Sequence, residues 1–110
     1  MKRAGKPLVW LQGEIRTPPL SQTARIEAGV LLRRLQEGSP IGIPHARPMP
    51  VIGSRCLELR IVDADATWRI MLRSDPDAII ILAVFRKKTR ATPSGVIESC
   101  RRRLKEYDNA

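Results

Sequence analysis

Apolar and polar positions alternate in two stretches of the chain with the two-residue period of a strand. Leu57-Glu58-Leu59-Arg60-Ile61-Val62 is the first and Thr67-Trp68-Arg69-Ile70-Met71-Leu72-Arg73 the second. Asp63-Ala64-Asp65 separates them with turn-forming residues. Ser74-Asp75-Pro76-Asp77 ends the second. Residues 78–85 (AIIILAVF) are apolar without alternation, which predicts a strand covered on both faces. The connections are short, so these three strands read as an antiparallel meander.

A different period governs residues 21–37. Ala24, Ala28, Leu31, Leu32 and Leu35 recur at helical spacing, with Ile26 and Val30 expected to widen their face. Ser21 is the expected N-cap, and Gly38 followed by Pro40 the stop. A second helix is expected to open at Thr92-Pro93, with Thr92 as cap and Pro93 in the first helical position. Val96, Ile97, Cys100, Leu104 and Tyr107 line one of its faces. Arg101, Arg102, Arg103 and Lys105 lie largely off that face and complement the negative end of the helix dipole.

Residues 7–12 read as a short N-terminal strand at the sheet edge, ended by Thr17-Pro18-Pro19. The stretch 39–54 holds Pro40, Pro44, Pro48 and Pro50 with Gly42 and Gly53, and is expected to be irregular throughout. The fold class is therefore α+β: a small twisted antiparallel sheet with an N-terminal strand, one helix before the meander and one C-terminal helix. Both helices are expected on one sheet face. At 110 residues the chain reads as a single domain, with residues 1–6 a flexible basic lead.

Composition narrows the function. Twenty Lys+Arg face 11 Asp+Glu, a formal charge of +9, on a chain that is 43% hydrophobic. Segment 86–106 alone carries eight cations against Glu98 and Glu106. That asymmetry points to a polyanionic partner, or else to a solvated basic face. Aromatic residues are few (Trp10, Trp68, Phe85, Tyr107), so RNA contact would lean on phosphates more than on stacking. No apolar run is long enough to span a membrane, and Leu8–Leu11 is too short for a signal-peptide core, so a cytoplasmic location away from membranes is expected. Cys56 and Cys100 fit no zinc spacing and read as buried small hydrophobes. No metal or cofactor is implied.

Strand alternation gathers the candidate chemistry. Leu57, Leu59, Ile61, Trp68, Ile70 and Leu72 share one sheet face. Glu58, Arg60, Arg69, Met71 and Arg73 share the other, which is expected to be solvated. Three arginines on one face would repel one another unless an anion sits among them. Arg86-Lys87-Lys88 follows at the end of the third strand. Together they make a phosphate-binding surface, where guanidinium groups can stabilise a pentacoordinate phosphorus more than its ground state. Glu58 is either a general acid or base there, or the partner that neutralises Arg60 or Arg69. Arg69, on a solvated face, is expected to be removable without loss of the fold. Arg90, His45 and Arg47 are further candidates for phosphate contact.

Glu58-Leu59-Arg60, Trp68-Arg69-Ile70, Val84-Phe85-Arg86-Lys87-Lys88-Thr89 and Thr92-Pro93, in that order, resemble the RelE/HigB superfamily of toxins from type II toxin–antitoxin systems, in particular its phage-derived HigB-like branch. The resemblance covers roughly residues 7–106. It implies a small twisted sheet carrying two helices on one face. It also implies ribosome-dependent, metal-independent mRNA cleavage by attack of a ribose 2′-OH on the adjacent phosphate. By this resemblance Arg60, Arg69, Lys87 and Lys88 are the catalytic positions, and the reading of the residues themselves adds Arg73, Arg86, Arg90, His45 and Arg47 around the RNA. The implied partners are the 70S ribosome with its mRNA and a HigA-like, helix-turn-helix antitoxin, through which operator DNA would be met indirectly. The chain departs from the superfamily pattern in one respect. Residues 86–106 hold neither tyrosine nor histidine, which leaves the general acid and base unassigned. A translation inhibitor that binds RNA or the ribosome without cutting, and a basic module acting only in complex with a DNA-binding antitoxin, are the alternatives.

Overall fold

A computed structural model describes residues 5–88 and 90–110. Residues 1–4 of the expected flexible lead, and Thr89 of the basic motif, lie outside the described residues. The elements run β1 (Leu8–Trp10), α1 (Gln22–Gln36), β2 (Ala46–Pro48), β3 (Cys56–Val62), β4 (Thr67–Ser74), β5 (Ile79–Arg86) and α2 (Ser94–Asp108). The strands form one five-stranded sheet in the order β1-β5-β4-β3-β2.

The meander forms as expected, β3 against β4 and β4 against β5, both antiparallel. β1 does join the edge, but parallel to β5, because α1 carries the chain across the sheet before the meander starts. The 39–54 stretch is not wholly irregular. Ala46–Pro48 pairs antiparallel with β3 and closes the opposite edge. It stays short because Pro48, lacking an N–H, is tolerated only at an edge.

Ser21 caps α1 by accepting from the Ala24 amide at 3.0 Å, while its own amide donates to Asp63 Oδ2 at 2.9 Å. The helix closes on Gly38 at φ +81°, whose amide donates to Leu35 O; the Ser39 amide donates to Arg34 O. That paired pattern is a Schellman motif, which glycine adopts at no steric cost.

The helices lie on opposite faces of the sheet, not on one. Ala24, Ala28, Leu31, Leu32 and Leu35 of α1 pack on Leu59, Ile61, Trp68, Ile70, Leu72, Ile79 and Ile81. Cys100 and Leu104 of α2, with Val96, Ile97 and Tyr107 beside them, pack on Cys56, Met71, Ile80 and Leu82. The all-apolar β5 explains this arrangement. Ile79 to Leu82 project to both sides, and each side needs its own cover to leave water. Ile26 and Val30 do not widen the buried face of α1; they are 56% and 53% exposed. Each follows a buried alanine by two positions, more than half a turn round the helix. Both cysteines are free and buried, and burial pushes the Cys100 thiol up to about 11.

A candidate phosphate-binding cleft

β3 places Glu58 and Arg60 on the α2 side of the sheet. The β3–β4 register sets Met71 opposite Glu58 and Arg69 opposite Arg60. Cross-strand partners share a face, so two arginines meet side by side, which is destabilising without a counter-charge. Glu58 supplies it. Its carboxylate Oε2 is 3.3 Å from Arg69 Nη1, and its Oε1 accepts from Arg47 Nε on β2 at 2.9 Å. The Thr92 hydroxyl donates to Oε2 at 3.3 Å. Glu58 and Arg69 are each only 3% exposed. The expected neutralising role of Glu58 therefore holds towards Arg69, with Arg47 rather than Arg60 as the second partner.

Arg69 is not on a solvated face. It also donates to Thr92 Oγ1 at 3.3 Å and, through Nη2, to the Arg90 carbonyl at 2.9 Å. It thus pins the segment between β5 and α2 against the sheet. Thr92 is spent on this network and does not cap α2. Pro93 takes the cap position without a side-chain hydrogen bond, and the helix starts at Ser94. Sequence patterning offered no sign of this, because Thr-Pro before a helix is also a capping signal.

A one-residue bulge in β5 decides which basic side chain joins the cleft. Met71 pairs with Ala83 and Leu72 with Ile81, so Leu82 is extra. Leu82 and Ala83 consequently both face α2, and every later side chain changes sides. The guanidinium of Arg103 on α2 donates to the Leu82 carbonyl at 2.8 Å, satisfying an acceptor that the bulge removes from regular pairing. Beyond the bulge, Phe85 and Lys87 follow Ala83 to the α2 side. Arg86 goes to the α1 side, where it donates to the Asp65 carbonyl.

The result is an open cleft of about 300 Å³, lined by Ile43, Pro44 and Ala46 and by Arg47, Glu58, Arg60, Arg69, Lys87 and Arg90. Five cations face one carboxylate there. That carboxylate is engaged by Arg47 and Arg69, and Arg60, Lys87 and the Arg90 side chain form no ion pair with the described residues. Desolvation, and then the neighbouring guanidinium groups of Arg60 and Arg69, hold the Lys87 amine below the usual lysine range.

Of the residues expected around a phosphate, Arg47, Arg60, Arg69, Lys87 and Arg90 come together and four do not. Arg73 is buried at the far end of β4. It is paired with Asp75 through Nε (2.7 Å) and Nη2 (2.8 Å), and with Asp108 of α2 at 2.7 and 2.9 Å. Its charge is consumed by that cluster. His45 turns towards α1, with Nδ1 3.7 Å from Glu27 Oε1. Arg86 is drawn to the opposite face by the bulge. Lys88 borders a neighbouring apolar pocket instead of the cleft.

The family profile described as phage derived protein Gp49-like (DUF891) matches residues 18–105. The chain belongs to the Gp49-like family. Membership of this family suggests a toxin-like role. The match spans α1, the meander, the cleft and most of α2, so every cleft residue lies inside it. No curated protein matches the chain. In this Gp49-like protein no helix among the described residues is long and apolar enough to cross a membrane. No group of three or more His, Cys, Asp or Glu among those residues could hold a metal ion.

Proposed function

We propose that this Gp49-like protein is the toxin of a type II toxin–antitoxin pair and cleaves mRNA on the ribosome at a phosphate held in the Arg60–Lys87 cleft. The observation that carries the reading is the cleft's charge: Arg60, Lys87 and Arg90 face an open space with their local carboxylate already engaged. A phosphodiester supplies the missing negative charge. Arg60 offers it a forked pair of donors and Lys87 a compact charge. Arg69 acts at one remove, holding Glu58 and the Arg90–Thr92 segment in place; it is a positioning residue.

In the reaction the ribose 2′-oxygen bonds to the adjacent phosphorus and the bond from phosphorus to the 5′-oxygen breaks. The 2′-hydroxyl proton leaves to water, and the 5′-oxygen gains one as it departs. The products are a 2′,3′-cyclic phosphate and a 5′-hydroxyl. Arginine does not give up its proton, and the Glu58 oxygens accept from Arg47, Arg69 and Thr92. Lys87, with its lowered pKa, is therefore the proton donor to the leaving oxygen. Negative charge growing on the equatorial oxygens meets Arg60 and Arg90, already in position before the reaction.

One observation favours a second reading. Among the described lining residues there is no free carboxylate or imidazole to take the 2′-hydroxyl proton. A protein that clamps RNA without cutting would need none. Mapping 5′ ends on a defined mRNA in a translating bacterial extract separates the two. New ends bearing 5′-hydroxyls, dependent on active ribosomes and absent with Arg60→Ala, are the expected result. Stalled translation on intact mRNA would select the clamp. No effect on translation or mRNA would leave a module that acts only with its antitoxin.

A further inference from the structure

Beside the cationic cleft lies a second pocket, of about 220 Å³, bounded by Phe85, Lys88, Ala91, Pro93 and Val96 and reached past Arg69 and Lys87. Arg69 and Lys87 line both spaces, so the two are adjacent. Their characters differ sharply. The cleft is lined with charge, whereas the wall of the second pocket is almost entirely apolar. Phe85 reaches it because the Leu82 bulge moved residues 83, 85 and 87 to the α2 side together. The long side chain of Lys88 supplies methylene surface at its rim, where its charged end can stay in water.

Resting on the phosphate reading of the cleft, we infer that this apolar pocket receives the nucleobase of the nucleotide bearing the held phosphate. A nucleotide presents that same pairing, a charged phosphate joined through a sugar to a flat, largely apolar ring. The pocket is smaller than the roughly 300–1,000 Å³ typical for drug-sized ligands, which suits one ring system rather than a whole nucleotide. An unpaired base gains from an aromatic neighbour, and Phe85 is the one aromatic residue on this wall. The adjoining cations favour a ligand that brings its own anion. The pocket thereby fixes which nucleotide side of the phosphate enters first, and gives a preference by base size and shape rather than by hydrogen-bond readout.

The test uses three uncleavable 2′-O-methyl dinucleotides, one complete, one lacking the base 5′ of the phosphate and one lacking the base 3′ of it, in separate titrations. Binding to the isotope-labelled full chain is followed by amide NMR. The expected result is an affinity loss of about tenfold or more when the base is missing on one side. Shifts at Phe85 and Val96 should disappear with that same dinucleotide and persist with the other two. Val96→Trp, which fills the pocket, should abolish the difference while keeping the affinity for the base-lacking form. Phe85→Leu checks the same point with a smaller change of volume. Equal affinity with and without the base overturns this inference and leaves the phosphate reading standing. So does a base effect that leaves Phe85 and Val96 unshifted. Binding of none of the three dinucleotides overturns both.

Discussion

Arg69 Nη1 lies 3.3 Å from Glu58 Oε2, and both side chains are almost wholly removed from water. A buried pair of this kind adds little net stability when intact, because desolvation offsets most of the attraction. Breaking it is another matter, since the surviving charge is left uncompensated. Glu58→Ala is expected to cost about 3–5 kcal/mol in urea unfolding. Arg69→Ala should lose both stability and activity, contrary to the expectation of a solvated arginine that can be removed freely. A variant Arg69→Ala that melted like wild type would remove Arg69 from its positioning role.

Arg60 offers the clean separation of chemistry from fold. It is exposed, lines the cleft and makes no ion pair with the described residues. Arg60→Ala should leave unfolding free energy within about 0.5 kcal/mol of wild type. Cleavage rate should fall by about 10²–10³, the usual loss for one preorganised donor at a transition state. Full activity in this variant would exclude Arg60 from the phosphate site.

Lys87 sets a pH dependence. As the proton donor it must be protonated, so cleavage should decline on the alkaline side along a limb set by its lowered pKa. That limb lies below the ~10.4 of an ordinary lysine. Lys87→Arg keeps the charge but cannot give up a proton; it should bind RNA normally and cleave slowly. A substrate whose leaving 5′-oxygen is replaced by sulfur needs no acid and should restore the rate. Failure of that rescue would assign the proton elsewhere.

The same lysine costs stability. Its folded-state pKa lies below its unfolded value, so between the two the unfolded chain binds more protons and stability rises with pH. At neutral pH the full penalty is present. Lys87→Met should therefore raise Tm at pH 7, with the gain shrinking towards zero as pH climbs past about 10.4. A gain independent of pH would point to better packing instead.

The Arg73 cluster is expected to behave as structure alone. Asp108 is held below the usual carboxylate range by its hydrogen bonds from Arg73. Its contribution is present above the unfolded-state value near 3.9 and is lost as pH falls through the lower folded-state value. Asp108→Asn should be less stable than wild type at pH 6, with the two converging in strong acid, and cleavage per folded molecule should be unchanged at neutral pH. A selective loss of cleavage would move this cluster into the site.

Much of this protein was written in its local patterns. Two-residue alternation determined β3 and β4 and which side chains each turns to the same face. Helical spacing, the Ser21 cap and Gly38 determined α1 almost to its ends. The charge imbalance in 86–106 and the shared face of Glu58, Arg60 and Arg69 pointed to an anion-binding surface. These features depend on neighbours within a turn or a hairpin, so a linear sequence carries them.

Tertiary structure decided the rest. Whether Arg69 meets water depends on the Thr92 segment packing over it, 23 residues away. Whether Arg73 binds a phosphate or Asp108 depends on where α2 ends, 35 residues on. The division of the helices between two faces follows from burying both sides of β5, while the parallel β1 and the pairing of β2 with β3 join segments distant in the chain. The bulge at Leu82 is the sharpest case. One unpaired residue, its carbonyl held by Arg103, exchanges Arg86 for Lys87 in the cleft. Alternation alone does not show it, because a bulge is a mismatch between two strands and exists only once they pair.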